Sequence, residues 1–319
     1  MRNDDMFIGG SFAWFTGVVE DRNDPAQMNR VRVRCFGYHT DDLGSIRTKD
    51  LPWATVMMPS TSSSISGLGT NHGLVDGSWV IGFFRDGTSA QDPIVMGSIA
   101  SMYEKQPSTK RGFSDQSGTL PVLQQDGTYN DTNFRARGVA EDPARVVDDT
   151  ISEPASPYAA VYPYNQVTET ESGHVIELDD TAGAERIRLK HKSGTFVEMH
   201  PNGDIVTAHA NGWRSVTGND SLHVTGNVTV VVDTNASITV EGNADINVAG
   251  DTTVDCPTTT WTGNIILTGD LTQTGAYNLA GNAVISGTST AADHLSGSIS
   301  GKGHVHTEKG DGADVSTPK

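Results

Sequence analysis

Val216, Val224, Val232, Val240 and Val248 follow one another at intervals of eight residues. Gly218, Gly226, Gly242 and Gly250 stand two places after a valine, with Thr234 the exception. A second apolar residue stands six places after each valine: Leu222, Val230, Ile238, Ile246 and Val254. Positions seven and one of successive octads are two apart, so in an extended chain they share a face. The Gly-Asn pairs at 218, 226 and 242 suit a corner where a positive φ is cheap. Each octad therefore reads as a short strand and a bend, spanning about 26 Å at most when extended.

Five octads in one chain give fewer than two three-sided rungs, too few for a solenoid whose rungs must stack. Three chains, each giving one octad per level, close a triangular prism around Val, Ile and Leu. The expectation is an intertwined trimeric β-helix over residues 216–300. From Gly263 the glycines recur every six residues (Gly269, Gly275, Gly281, Gly287), so the prism should narrow. Asp220, Asp233, Glu241, Asp245, Asp251, Asp255, Asp270 and Asp293 face a single Lys302 in this stretch. That charge opposes lateral aggregation.

His304-Val305-His306 follows directly. Residues i and i+2 of a strand face the same way, and on a three-fold axis they bring six imidazoles to one point. Six nitrogens make an octahedral site, which suits Fe, Ni, Cu or Zn as imidazole metals but disfavours four-coordinate structural Zn. A metal there would pin three chain ends where fraying is worst. Residues 301–319 are expected to form this metal-binding tip.

The N-terminal part has a different period. Trp14 to Glu20, Arg30 to Cys35, Leu51 to Met58, Ser78 to Arg85 and Pro93 to Ile99 read as five strands divided by turn signals. Five short strands with one long Ser-rich loop, Ser60 to Gly73, suit an OB-type barrel over residues 1–105. An SH3-like barrel or a small sandwich has similar strands. Residues 106–170 lose periodicity and carry Pro107, Pro121, Pro143, Pro154, Pro157 and Pro163, which reads as an extended connector. In the lead-in, residues 171–215, the segments 174–178, 186–191 and 195–200 alternate as a meander feeding the repeats. The fold class is thus all-β throughout.

Composition narrows the function. The net charge of −17 and the absence of a basic, aromatic-rich face argue against nucleic acid as a partner. Cys35 and Cys256 lie in unlike segments and read as free thiols of a protein made in a reducing cytoplasm. No signal peptide and no helical membrane span are expected. Asp41-Asp42, Asp148-Asp149 and Asp179-Asp180 are adjacent carboxylates that point to opposite faces, so they read as turns rather than catalytic pairs. His191 and His200 read as packed or exposed, not as ligands. No nucleophile elbow, P-loop or dinucleotide fingerprint is present.

Several strings together resemble the central spike proteins of contractile phage tails. Asp21-Arg22-Asn23-Asp24-Pro25 with Asn29-Arg30-Val31-Arg32-Val33-Arg34 looks like the opening of the T4-like spike's OB domain. Residues 77–84 and 92–97 look like its later strands. Residues 172–180, 191–195 and Pro201-Asn202-Gly203-Asp204 resemble the start of its β-helix, which type VI secretion spikes share. The resemblance implies a homotrimer in the virion tail baseplate. It would be attached to the hub through the OB domain and pierce the host outer membrane mechanically. It also implies one iron ion per trimer, on His304 and His306. The T4-like spike carries a muramidase domain between barrel and β-helix. Residues 106–170 are too short for it, so peptidoglycan hydrolysis is not carried over and no enzyme is expected. Two other readings are a polysaccharide-degrading tailspike enzyme and a type VI secretion spike. Short octads rich in Thr, Asn and Gly offer the first no substrate groove.

Overall fold

The computed structural model describes residues 12–140, 151–297 and 299–302. It divides into two compact units, Met1–Ser237 and Ile238–Lys319. In the first, β1 (Ala13–Asp21), β2 (Arg30–Cys35), β3 (Trp53–Val56), β4 (Trp79–Phe84) and β5 (Pro93–Ser98) form a closed barrel. The strand order is β1-β2-β3-β5-β4, and β3 and β5 pair in parallel through Thr55–Ile94 and Val56–Val95. This is the expected OB-like barrel, with strand ends within a few residues of those read from the sequence.

The barrel closes because alternate residues are apolar and point one way. Phe15, Val19, Val31, Val33, Ala54, Val80, Phe84 and Val95 are buried together. Cys35 joins them, and burial pushes its thiol up to about 12, which leaves it protonated and inert.

Beyond the barrel, β6 (Met102–Tyr103) pairs with β7 (Tyr129–Asn130). The connector is not simply extended. Its last residues form a strand, β8 (Asn165–Glu169), which borders a five-stranded antiparallel sheet. The others are β9 (Val175–Asp179), β10 (Arg186–Lys190), β11 (Phe196–Met199) and β12 (Ile205–Ala208). The sequence reading ended the connector at residue 170 and so missed β8. Asn-Gln-Val-Thr-Glu lacks the apolar alternation that marks a strand, and pairing with β9 makes it one.

The octads appear as bends with the expected period. The chain bends at residues 217–218, 225–226 and 233–234 in the first unit, and at 241–242 and 249–250 in the second. Thr234 bends like the glycines. The octad glycines do not adopt positive φ, contrary to the corner chemistry expected of them. In the hexad stretch Gly263, Gly269 and Gly275 do, at φ 120°, 135° and 119°. A short hairpin of β13 (Leu295–Ser296) and β14 (Ile299–Ser300) follows.

Candidate functional site

The sheet β8–β12 buries its polar residues. Along β9, Val175, Glu177 and Asp179 are buried while Ile176 and Leu178 are exposed. Along β10 the buried residues are Arg186 and Arg188, and Ile187 and Leu189 face out. Along β11, Phe196 and Glu198 are buried, and Val197 and Met199 face out.

Register explains how the charges survive burial. Arg188 stands opposite both Glu177 and Glu198. The Glu177 carboxylate accepts from Arg186 Nη2 at 2.9 Å, Arg135 Nη2 at 3.1 Å and Asn165 Nδ2 at 3.1 Å. Glu198 Oε2 accepts from Arg188 Nη1 at 2.8 Å, Arg186 Nη1 at 3.2 Å and Ser156 Oγ at 3.1 Å. Its Oε1 lies 2.9 Å from His200 Nε2. The connector supplies the cover: Tyr158 lies under the guanidinium groups of Arg135 and Arg186, and its hydroxyl donates to the Arg135 carbonyl at 2.8 Å.

The opposite face carries two apolar rows. Ile176, Leu189 and Val197 pair across one row. Leu178, Ile187, Met199 and Ile205 pair across the other. All seven side chains are exposed in the single chain. The repeat continues this exposure: Leu222, Val230, Ile238, Ile246 and Val254 are between 70% and 91% accessible, and the octad valines about half.

A second locus fastens the connector to the barrel. Glu20 and Arg34 are fully buried and joined by Arg34 Nε to Glu20 Oε1 at 2.7 Å. Arg34 also donates to the carbonyls of Thr40 at 2.7 Å and Ile46 at 2.8 Å. Glu20 accepts from Thr48 Oγ1 at 2.8 Å and from the backbone N–H of Phe113 at 2.6 Å. Phe113 stacks on Phe36 with centroids 4.2 Å apart. Gly112 permits this approach, because a Cβ there would lie 2.2 Å from Arg34 Nε.

His304 and His306 lie outside the described residues. Among the described residues, no three His, Cys, Asp or Glu side chains gather to hold a metal ion. Asp179 is buried and Asp180 exposed, on opposite faces as expected. His191 is exposed beside His174, with ring centroids 4.5 Å apart, and His200 is packed against Glu198. Asp76 and Asp131 line a cavity of about 380 Å³ together with Trp79 and Tyr103. Burial pushes both carboxyls up, and it pushes the Tyr103 hydroxyl up to about 12. The sequence reading missed the Glu177–Glu198 network and the Glu20–Arg34 lock. The only signal was alternation of Arg and Glu on strands whose register was not yet fixed.

A closed OB-like barrel, a clamped connector and a sheet leading into period-eight bends define a class: a mostly-β, repeat-bearing protein built for assembly. Residues 37–180 match the Gp5 N-terminal OB domain family. The chain is 36% identical over 251 residues to Protein Gp5 of Vibrio phage KVP40, covering 63% of this chain and 59% of that protein. It is 39% identical over 137 residues to the pre-baseplate central spike protein Gp5 of Enterobacteria phage T4, covering 41% of this chain and 23% of that one. The chain belongs with the Gp5 central spike proteins of T4-like phages. The matches span about three fifths of the Vibrio phage relative and about a quarter of the T4 one.

Proposed function

We propose that this chain is a structural cell-puncturing spike of a contractile phage tail, acting as a homotrimer within the baseplate. The observation that carries the reading is the apolar face of the β8–β12 sheet. Ile176, Leu178, Ile187, Leu189, Val197, Met199 and Ile205 are left to water in one chain, and the exposed octad residues follow in sequence. A contiguous apolar surface of this kind marks an interface. Its buried polar side is already covered by the chain's own connector, so the partner belongs on the apolar side. Octads too few for a solenoid of one chain supply the reason for three copies, wound as a β-helix.

In this reading the OB barrel seats on the baseplate hub and the rod meets the host outer membrane. Tail contraction supplies the work, so the chain performs no covalent chemistry. The names of the two relatives support the baseplate role. Among the described residues no helix is long and apolar enough to cross a membrane. A rigid rod pushed through from outside needs none. His304 and His306 would hold one iron ion per trimer through six imidazoles, a proposal that rests on their i, i+2 spacing and the trimer.

Sedimentation of the purified full chain tests the core of the proposal. The expected species is three times the chain mass of 33.9 kDa. A stable monomer overturns the trimer and the spike with it. Metal analysis of the trimer should find iron that is lost in His304→Ala/His306→Ala. A trimer free of bound metal removes the tip site and leaves the rod.

A further inference from the structure

The Ser-rich loop between β3 and β4 presents an apolar tip. From Leu51 to Val75 there is no Asp, Glu, Lys or Arg, although these make up 19% of the chain. Ile65 and Leu68 stand at the tip, joined by a hydrogen bond from Leu68 N to Ile65 O at 2.9 Å. Both side chains are 66% exposed. The loop is tied across its neck by Thr70 N donating to Ser62 Oγ at 2.9 Å. Ser64 and Ser66 hold φ of 47° and 52°, a left-handed conformation that costs a non-glycine residue about 1–3 kcal/mol and persists where its surroundings impose it. A tip already held in one shape loses little freedom on docking.

The same unit carries a receptor of matching chemistry. A cleft of about 890 Å³ lies between barrel, connector and β8. Leu74, Val122, Leu123 and Phe134 line it, with Val122 and Leu123 more than half exposed. The charged groups at its rim, Arg22 and Glu171, are paired with each other at 2.7 Å. An uncharged guest can therefore displace water from the cleft without stranding an ion. Ile65 and Leu68 do not line the cleft of their own chain.

We infer that the Ile65–Leu68 tip of one copy seats in the Leu74–Val122–Leu123–Phe134 cleft of the next. The inference rests on the trimer proposed above. Tip and cleft are different surfaces of one chain, so the contact is head-to-tail, and a three-fold rotation closes it into a ring. The ring joins the barrels by a contact distinct from the sheet and the repeat.

The test uses the full chain carrying Cys256→Ser, since that thiol is exposed while Cys35 is buried. Leu68→Cys and Leu123→Cys are introduced together, trimer formation is checked by sedimentation, and the protein is oxidised with copper phenanthroline. The expected product is a covalent trimer on a non-reducing gel, absent from either single-cysteine variant. Ile65→Cys with Val122→Cys gives an independent second pair. A sedimenting trimer in which neither pair links chains overturns the inference and leaves the trimer intact. So does a disulfide formed within one chain, or linkage by Leu68→Cys alone, which would mean that tips meet tips. Fast maleimide labelling of Leu68→Cys in the intact trimer also overturns it, and assigns the tip to a different protein. A monomer in sedimentation overturns both readings.

Discussion

In the barrel, the side chains that point inward are Phe15, Val31, Val33, Val80 and Val95; in the sheet that follows, they are Glu177, Arg186, Arg188 and Glu198. Both elements alternate with period two, and both are covered on one side by their own chain. The barrel wraps its strands around apolar residues and needs nothing further to exclude water. The sheet hides a satisfied ionic network under Arg135, Ser156 and Tyr158 and leaves Ile187 and Leu189 in water. A buried ion pair contributes little net stability relative to an apolar core, but removing one partner is costly. The barrel is thus organised for folding alone. The sheet holds its shape alone and awaits other chains on its far face.

Removing a carboxylate from the network should have the largest effect. Glu198→Ala strips partners from Arg186, Arg188, Ser156 and His200 at once. We expect a loss of about 3–5 kcal/mol, the usual cost of an orphaned buried charge, read from the urea midpoint. Glu198→Gln should recover part of it by keeping hydrogen-bond acceptance. Equal losses in both variants would show that shape, not charge pairing, holds the polar face.

Next in size comes the contrast between the two apolar sets. Val33→Ala should cost about 2 kcal/mol by removing buried methyl groups and leaving a cavity. Leu189→Asp, at a position 59% exposed in the single chain, should leave the urea transition of the barrel unmoved and abolish the trimer in sedimentation. A Leu189→Asp chain that still sediments as a trimer breaks the comparison.

Smaller again is the lock between connector and barrel. Gly112→Ala places a Cβ against Arg34 and should cost about 1–3 kcal/mol, the usual range for overpacking a filled site. Protease cleavage within 106–140 should rise in the variant while the barrel resists. An unchanged cleavage rate would mean that the Phe113 amide and the Phe36–Phe113 stack hold the connector without close approach at Gly112.

The period-two strands of the barrel were legible because Arg30 to Cys35 alternates with apolar residues on one face only. The repeat was legible because valine recurs at eight, and the chain bends at that spacing. Which face of β10 is buried was not legible. Arg-Ile-Arg-Leu-Lys alternates equally well either way, and only the pairing of Arg188 with Glu177 and Glu198 decides it. β8 was hidden for a related reason, since Asn165 is buried for its hydrogen bond to Glu177 rather than for hydrophobicity. The octad glycines taught the reverse lesson. They look like turn residues, yet they lack positive φ and meet open space in the single chain. Small size at the bend, where other chains are proposed to pass, is a use consistent with both facts.

The smallest expected effect lies in the connector, at the hairpin that faces neither core. Asp126 pairs with Arg137, whose guanidinium is the main reason its carboxyl falls from 3.8 to about 2, with Thr128 Oγ assisting. A carboxyl whose folded value lies below its unfolded one contributes stability above the unfolded value and loses it as pH falls through the folded one. The contribution should therefore be present at pH 5 and disappear between about pH 4 and pH 2. Every other titrating carboxylate also weakens the protein in that range, so the informative quantity is the difference between wild type and Asp126→Asn. That difference in Tm should be small and positive at pH 5, because solvent screens a pair on the surface. It should shrink to nothing at pH 2. A difference that is constant with pH would assign the role of Asp126 to its turn hydrogen bonds with Thr128, leaving Arg137 held by the Thr132 carbonyl and Gln124.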